Sequence, residues 1–262
     1  MNSDNTLVQV ARDGRGVTTL TMNRPAAFNS LSEDMLSALQ HELHHVATDE
    51  RARVLVIAGA GKAFCAGHDL KEMRAEPSQG YYERLFAQCA RMMLSIQKLD
   101  VPVIARVHGI ATAAGCQLVA MCDLAVAARD ARFAVSGVNL GLFCSTPSVA
   151  LSRNLSRKSA FEMLVTGNFI SAEEALAKGL VNRVVDAERL DDEVAALVAQ
   201  IVAKPRVALA LGKQLFYRQL ETGIEAAYAD AGRTMACNMM DAAALEGVQA
   251  FIDKRAPDWS GA

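Results

Sequence analysis

Two short, largely apolar runs, residues 54–58 and 103–107, are each followed by a loop built mostly of glycine and alanine. A run without polar alternation suits a strand buried on both faces, and such strands sit in parallel sheets covered by helices. The loops span residues 59–68 and 109–115. Helices are expected beyond them, over 81–99 and 117–121, and another strand over 124–128. Strand, loop and helix thus alternate, which predicts an α/β domain with parallel strands and right-handed crossovers. Ahead of this unit, residues 6–11 and 17–22 flank Asp13-Gly14-Arg15-Gly16 and read as a β-hairpin. Residues 32–49 read as a helix, capped by Ser32 or by Ser30 with Glu33.

From about Thr146 the pattern becomes mostly helical, with one late strand over 181–185. Successive helices are expected over 190–203, 207–220, 224–240 and 242–253, punctuated by Pro205 and Gly223. This divides the chain into a core domain, 1–204, and a C-terminal helical part, 205–262. Those last helices are rich in alanine and carry more apolar surface than one small core needs. A homotrimer or a dimer of trimers is therefore expected.

Hydrophobic residues make up 52% of the 262 positions and charged residues 21%, enough to bury a sizeable core. The net charge of −2 and the lack of a clustered Lys/Arg face argue against nucleic acid or an anionic membrane as partner. No charge-free apolar run reaches 18 residues, so no span is expected. The opening residues show neither a basic nor an apolar signal region. Six scattered cysteines without a CxxC read as reduced thiols. Together these predict a cytoplasmic protein.

One motif points elsewhere. His41-Glu42-Leu43-His44-His45 is a literal zincin signature, and two histidines at i and i+4 around a glutamate can bind zinc and activate water. The helical wheel opposes that reading. Met35, Leu36, Leu39, Leu43, Val46 and Ala47 form one apolar stripe about 120° wide, and His41 and His45 lie on the far side. A solvated polar face and no metal are expected, with a zinc hydrolase as a remote alternative. Gly59-Ala60-Gly61-Lys62 is no phosphate loop, because Val56 and Ala63 occupy positions that need glycine and Ser or Thr.

Two segments carry more chemistry: Lys62-Ala63-Phe64-Cys65-Ala66-Gly67-His68-Asp69-Leu70-Lys71-Glu72-Met73, and His108-Gly109-Ile110-Ala111-Thr112-Ala113-Ala114-Gly115-Cys116-Gln117-Leu118. Each follows a strand and opens a helix, whose first backbone N–H groups are free to donate. Two such groups aimed at one point stabilise an oxyanion, and a helix dipole adds to them. Small residues let a ligand approach the backbone. Loops of this kind are also common packing devices, so spacing alone leaves both readings open.

These segments resemble the two signature stretches of the crotonase (enoyl-CoA hydratase/isomerase) family. Leu20-Thr21-Met22-Asn23-Arg24-Pro25, Phe28-Asn29-Ser30-Leu31, Leu164-Val165-Thr166-Gly167, Gly179-Leu180-Val181 and Phe251-Ile252-Asp253-Lys254-Arg255 extend the resemblance along nearly the whole chain. It implies a crotonase-type spiral of parallel strands and helices with a C-terminal helical part. It also implies an acyl-CoA thioester as substrate, with coenzyme A as part of that substrate and no separate cofactor. The backbone N–H groups of His68 and Ala114 would form the oxyanion hole. Coenzyme A would lie along Ala66, Gly67, Asp69 and Leu70, with Arg24 and Lys71 toward its phosphates or pantetheine. Phe251 and Lys254 would reach the adenine end from a neighbouring subunit.

The chain departs from the family where protons are moved. Gln117 and Gly137 stand at the two positions that the family's hydratases fill with glutamate, as in a hydratase-domain-containing branch. Gln117 can orient a water but cannot exchange a proton with it. Ser145 falls where the family's dehalogenases keep a nucleophilic carboxylate, and Cys144 precedes it. Both are candidate polar groups. The resemblance therefore implies an enzyme that polarises a thioester carbonyl, poor at standard hydration, with isomerisation, decarboxylation or thioester hydrolysis as outcomes. Decarboxylation fits the missing bases best. A non-catalytic acyl-CoA-binding protein is the alternative, and the family's RNA-binding role is the weakest.

Overall fold

A computed structural model describes residues 6–259. The opening residues read for a signal, 1–5, lie outside the described residues. A six-stranded sheet runs in the order β1 (Val8–Arg12), β2 (Val17–Met22), β3 (Val54–Gly59), β5 (Val103–Val107), β7 (Leu124–Ala128) and β10 (Arg183–Val185). β1 and β2 form the expected antiparallel hairpin, and every later pairing in this sheet is parallel. All six residues of β3 are buried, as a central parallel strand requires.

The two Gly/Ala stretches read as loops each contain a short strand, β4 (Ala63–Cys65) and β6 (Ile110–Thr112). These pair in parallel, and β8 (Arg132–Ala134) and β9 (Ile170–Ser171) complete a second, four-stranded sheet. Three residues are too few to show an alternation, so sequence pattern does not separate such strands from loop.

Helix α1 (Glu33–Thr48) begins at Ser32, whose hydroxyl accepts from the Met35 N–H at 3.1 Å. Glu33 and Asp34 in its first turn suit the helix dipole. Met35, Leu36, Leu39, Leu43 and Val46 are buried as the wheel predicts, whereas Ala47 is exposed. Three helices follow in the chain: α2 (Leu70–Ala75), α3 (Gln79–Lys98) and α4 (Ala114–Met121). Helix α4 starts three residues earlier than its expected bound and is buried throughout. Helices α5 (Ser145–Asn154), α6 (Arg157–Thr166), α7 (Ala172–Lys178) and α8 (Leu190–Val202) follow.

The last three helices are α9 (Arg206–Gln219), α10 (Ile224–Met239) and α11 (Ala242–Ile252). Few of their residues are buried: Lys213, Ala243 and Ala250. Large apolar side chains instead face outward, including Ile224, Tyr228, Met235 and Phe251. All six cysteines are free thiols. No single helix among the described residues is long and apolar enough to cross a membrane.

Candidate functional site

The two signature segments interlock through glycine. Gly115, the second residue of α4, packs so closely on the first segment that a Cβ there would lie 2.1 Å from the Cys65 carbonyl oxygen. Gly67, at φ +88°, returns the contact: a Cβ on it would lie 2.8 Å from the Ala113 Cβ and 3.2 Å from the Ala114 nitrogen. The backbone of each segment thus rests on the other with no room for a side chain between them.

Two backbone N–H groups flank this contact in sequence. Ala114 opens α4, so its N–H has no acceptor within the helix. Around His68, the bridge to Leu31 uses the Gly67 carbonyl, which accepts from Leu31 N–H at 2.8 Å, and the Asp69 N–H, which donates to Leu31 at 3.4 Å. The His68 N–H stays out of that ladder. Ala113, just ahead of Ala114, sits at φ 50°, ψ −120°. An L-residue there is strained, at a cost on the order of 1–3 kcal/mol.

His68 and Ala114 both line a cavity of about 190 Å³. Leu70, Met73 and Phe86 form one apolar side of it, and Leu140, Leu142 and Phe143 another. Cys144, Ser145 and Gly137 also reach it. The structure therefore brings together Ala66, His68, Leu70, Ala114, Gly137, Cys144 and Ser145 among the residues singled out from sequence. Phe86 and residues 140–143 carry no motif that marks them, and Met73, which ends the first segment, is assigned no role there.

The polar groups of the cavity are few. The His68 imidazole packs edge-on against Phe86, with ring centroids 5.5 Å apart, and both its nitrogens are buried without a hydrogen-bond partner. Burial pushes this histidine below its ordinary pKa, against a smaller opposing pull from the Leu31 backbone, so the ring is neutral at pH 7. Cys144 caps α5 at its N-terminus. Its thiol is raised by burial, an effect the Gly137 backbone only partly offsets, and a raised thiol is a poor nucleophile. The Ser145 hydroxyl donates to the Phe143 carbonyl at 3.3 Å. No residue in this group is a carboxylate positioned to take its proton.

Other candidates fall elsewhere. Gln117 is buried in α4 and does not line the cavity, and its side-chain oxygen has no partner. Arg24 is not free: its guanidinium donates to Asp69 Oδ2 at 2.6 Å and to Ser30 Oγ at 3.1 Å. Asp69 is accordingly structural, with its other oxygen accepting from the Lys71 and Glu72 N–H groups at the start of α2. Lys71 is exposed. Phe251 is 84% exposed and, like Lys254, lies outside the cavity lining of its own chain.

Residues 12–262 match the family described as enoyl-CoA hydratase/isomerase. The mitochondrial enoyl-CoA hydratase domain-containing protein 3 of Xenopus laevis is 45% identical over 255 residues, covering 97% of this chain and 87% of that one. Its Homo sapiens counterpart, also named mitochondrial, is 43% identical over 250 residues, covering 95% and 82%. Among solved structures, an enoyl-CoA hydratase from Mycobacterium smegmatis superimposes with a TM-score of 0.96 at 70% identity, covering 97% of this chain and 99% of that one. The human domain-containing protein 3 gives 0.93 at 42%, covering 97% and 100%. The cytoplasmic expectation is overturned by the domain-containing protein 3 sequences of Xenopus laevis, Rattus norvegicus and Homo sapiens, which are named mitochondrial. It rested on composition and scattered cysteines, which report thiol chemistry and carry no address.

Proposed function

The chain belongs to the enoyl-CoA hydratase/isomerase family, and from that premise we propose that it binds an acyl-CoA thioester and polarises its carbonyl with the N–H groups of His68 and Ala114. The observation that supports this reading is that His68 and Ala114 both line one cavity, next to the close contact of Gly67 with the Ala113–Ala114 backbone. The thioester oxygen would accept from both. As an enolate develops, its charge falls on that oxygen, where fixed donors help most. The positive end of α4 adds to them.

Proton transfer is the weak part of this site. Gly137 offers no side chain, Gln117 has no exchangeable acid and stands off the cavity, and the Cys144 thiol is held protonated. A positioned acid or base typically contributes about 10²- to 10⁴-fold. Hydration needs that help. Loss of CO₂ from a malonyl-type thioester does not: the C–C bonding pair passes into the enolate held by the oxyanion donors, CO₂ leaves without a base, and the enolate then takes its α-proton from water, releasing hydroxide. The proposed reaction is therefore enolate formation by decarboxylation, with hydration slow. A non-catalytic acyl-CoA binder is the second reading, favoured by the same lack of carboxylates.

With Arg24 taken up by Asp69, the exposed Lys71 would meet the coenzyme's phosphates along the first segment. Phe251 and Lys254 would serve the adenine end of a neighbouring copy. The outward-facing Ile224, Tyr228 and Met235 support assembly into a trimer or a dimer of trimers. The deciding experiment is a panel of acyl-CoA thioesters, malonyl types included, assayed for binding by calorimetry and for turnover by mass spectrometry. Binding with decarboxylation supports the first reading, and binding without turnover the second. Absence of binding at millimolar concentration sinks both. Crotonyl-CoA hydration at about 10 per second or more, an ordinary enzyme rate, would show that a base has been missed.

A further inference from the structure

The histidine pair of α1, unused by the thioester site, has a geometry that sequence did not reveal. His41 and His45 are both exposed, as the helical wheel predicts. Yet their rings turn toward each other, with Nε2 to Nε2 at 3.2 Å and centroids 4.4 Å apart. Two imidazole nitrogens bound to one metal at about 2.0–2.1 Å stand roughly 2.9 Å apart at a right angle and about 3.3 Å apart at the tetrahedral angle. The observed separation lies between those limits.

Glu42 completes the arrangement from behind. Its Oε1 is 3.2 Å from His41 Nδ1, the nitrogen facing away from the pair. Its Oε2 is 3.8 Å from the Arg12 guanidinium at the end of β1. The carboxylate is thus divided between two partners. A carboxylate on Nδ1 holds the proton there and leaves the Nε2 lone pair to ligate, which is the usual outer-shell support of a metal-bound histidine. The ligand atoms of His41, Glu42 and His45 all lie within 4.8 Å of one another.

We propose that His41 and His45 form a surface clamp for one divalent transition-metal ion, with Glu42 as the residue that positions His41. Water completes the coordination. The order of preference is set by imidazole ligation, with Cu²⁺ tighter than Ni²⁺ or Zn²⁺. No step of hydrolysis is implied. None of the residues lining the thioester cavity comes from α1, and the clamp opens on solvent.

The test is calorimetric titration of the full, untagged chain with Cu²⁺ alone, in a Cys237→Ser background that removes the exposed thiol as a competing ligand. One equivalent should bind, and electron paramagnetic resonance should show coupling to two imidazole nitrogens. His41→Ala and His45→Ala should each weaken binding by about 100-fold. Glu42→Gln should weaken it by about 10-fold, the low end for an outer-shell partner. His44→Ala, beside the clamp with its ring 6.5 Å from that of His45, should change nothing. Melting curves without metal should coincide for all variants, and His41→Asn offers a second route should His41→Ala not fold. No binding at millimolar Cu²⁺, or equal affinity in the parent and both histidine variants, overturns the proposal.

Discussion

The ammonium of Lys213, on α9, donates to Asp123 Oδ2 at 2.6 Å and to the carbonyls of Ile96 and Val101, both at 2.9 Å. Tyr217, one turn on, donates to the other Asp123 oxygen at 2.7 Å, and Val103 N–H donates to Oδ2 at 2.6 Å. One half-buried carboxylate just ahead of β7 therefore ties the C-terminal helices to the end of α3 and the head of β5. Burial alone would depress the lysine, and Asp123 opposes that effect. Removing one member of such a pair strands the other in a dry site.

Lys213→Met should therefore destabilise the protein by about 3–5 kcal/mol, the usual cost of breaking a buried ion pair from one side. Tyr217→Phe should cost less, about 1.5–3 kcal/mol, one hydrogen bond to a charged group. Urea denaturation of the two variants checks the ratio. Equal losses would mean that the lysine's charge is not what matters.

Placing a carboxylate at position 137 should fail to add activity. A Cβ on Gly137 would lie 2.5 Å from the Leu142 carbonyl oxygen and 2.7 Å from Cys144 Sγ. Gly137→Glu should lower stability by about 1–3 kcal/mol through overpacking, with no gain in crotonyl-CoA hydration. Gly137→Ala should show most of the same loss in a thermal melt. A stable and active Gly137→Glu enzyme would show that the loop over 137–144 yields.

Ala113→Gly should stabilise the fold. Glycine adopts φ 50°, ψ −120° without strain, against an entropic cost in the unfolded chain of about 0.4–1 kcal/mol. A net gain of about 1 kcal/mol is expected, with acyl-CoA affinity unchanged because the Ala114 N–H stays where it is. A lower melting temperature in the glycine variant would show that the alanine methyl contributes packing worth more than the strain.

His68 predicts a pH dependence. Its folded pKa lies below the ordinary 6.5, so the unfolded chain takes up a proton that the folded one resists. Its contribution to stability is complete above about pH 6.5 and is lost as pH falls from there toward the folded pKa. His68→Leu should flatten the stability-pH curve in that window while leaving acyl-CoA binding intact, since the proposed oxyanion donor is backbone. An unchanged slope would place the titration elsewhere.

Much of this molecule is readable from residue pattern. Periodicity finds the hairpin, the buried strands and the α1 stripe from Met35 to Val46, because burial on one face repeats at the period of the element. The Gly/Ala segments around Gly67 and Gly115 mark where backbone meets backbone, since no other residue fits there. That positions 117 and 137 hold Gln and Gly is equally visible, being a matter of residue type. Tertiary structure decided the rest. Only packing pairs β4 with β6, turns Arg24 toward Asp69, and draws the apolar residues of 70–86 and 140–143 around one cavity. Only side-chain placement brings His41 and His45 within 3.2 Å on a face that sequence marks as merely solvated. Sequence fixes which groups each element carries and which way its apolar side must turn. Where two elements far apart in the chain meet, the partners of a charge or the walls of a cavity depend on long-range packing that no local period encodes.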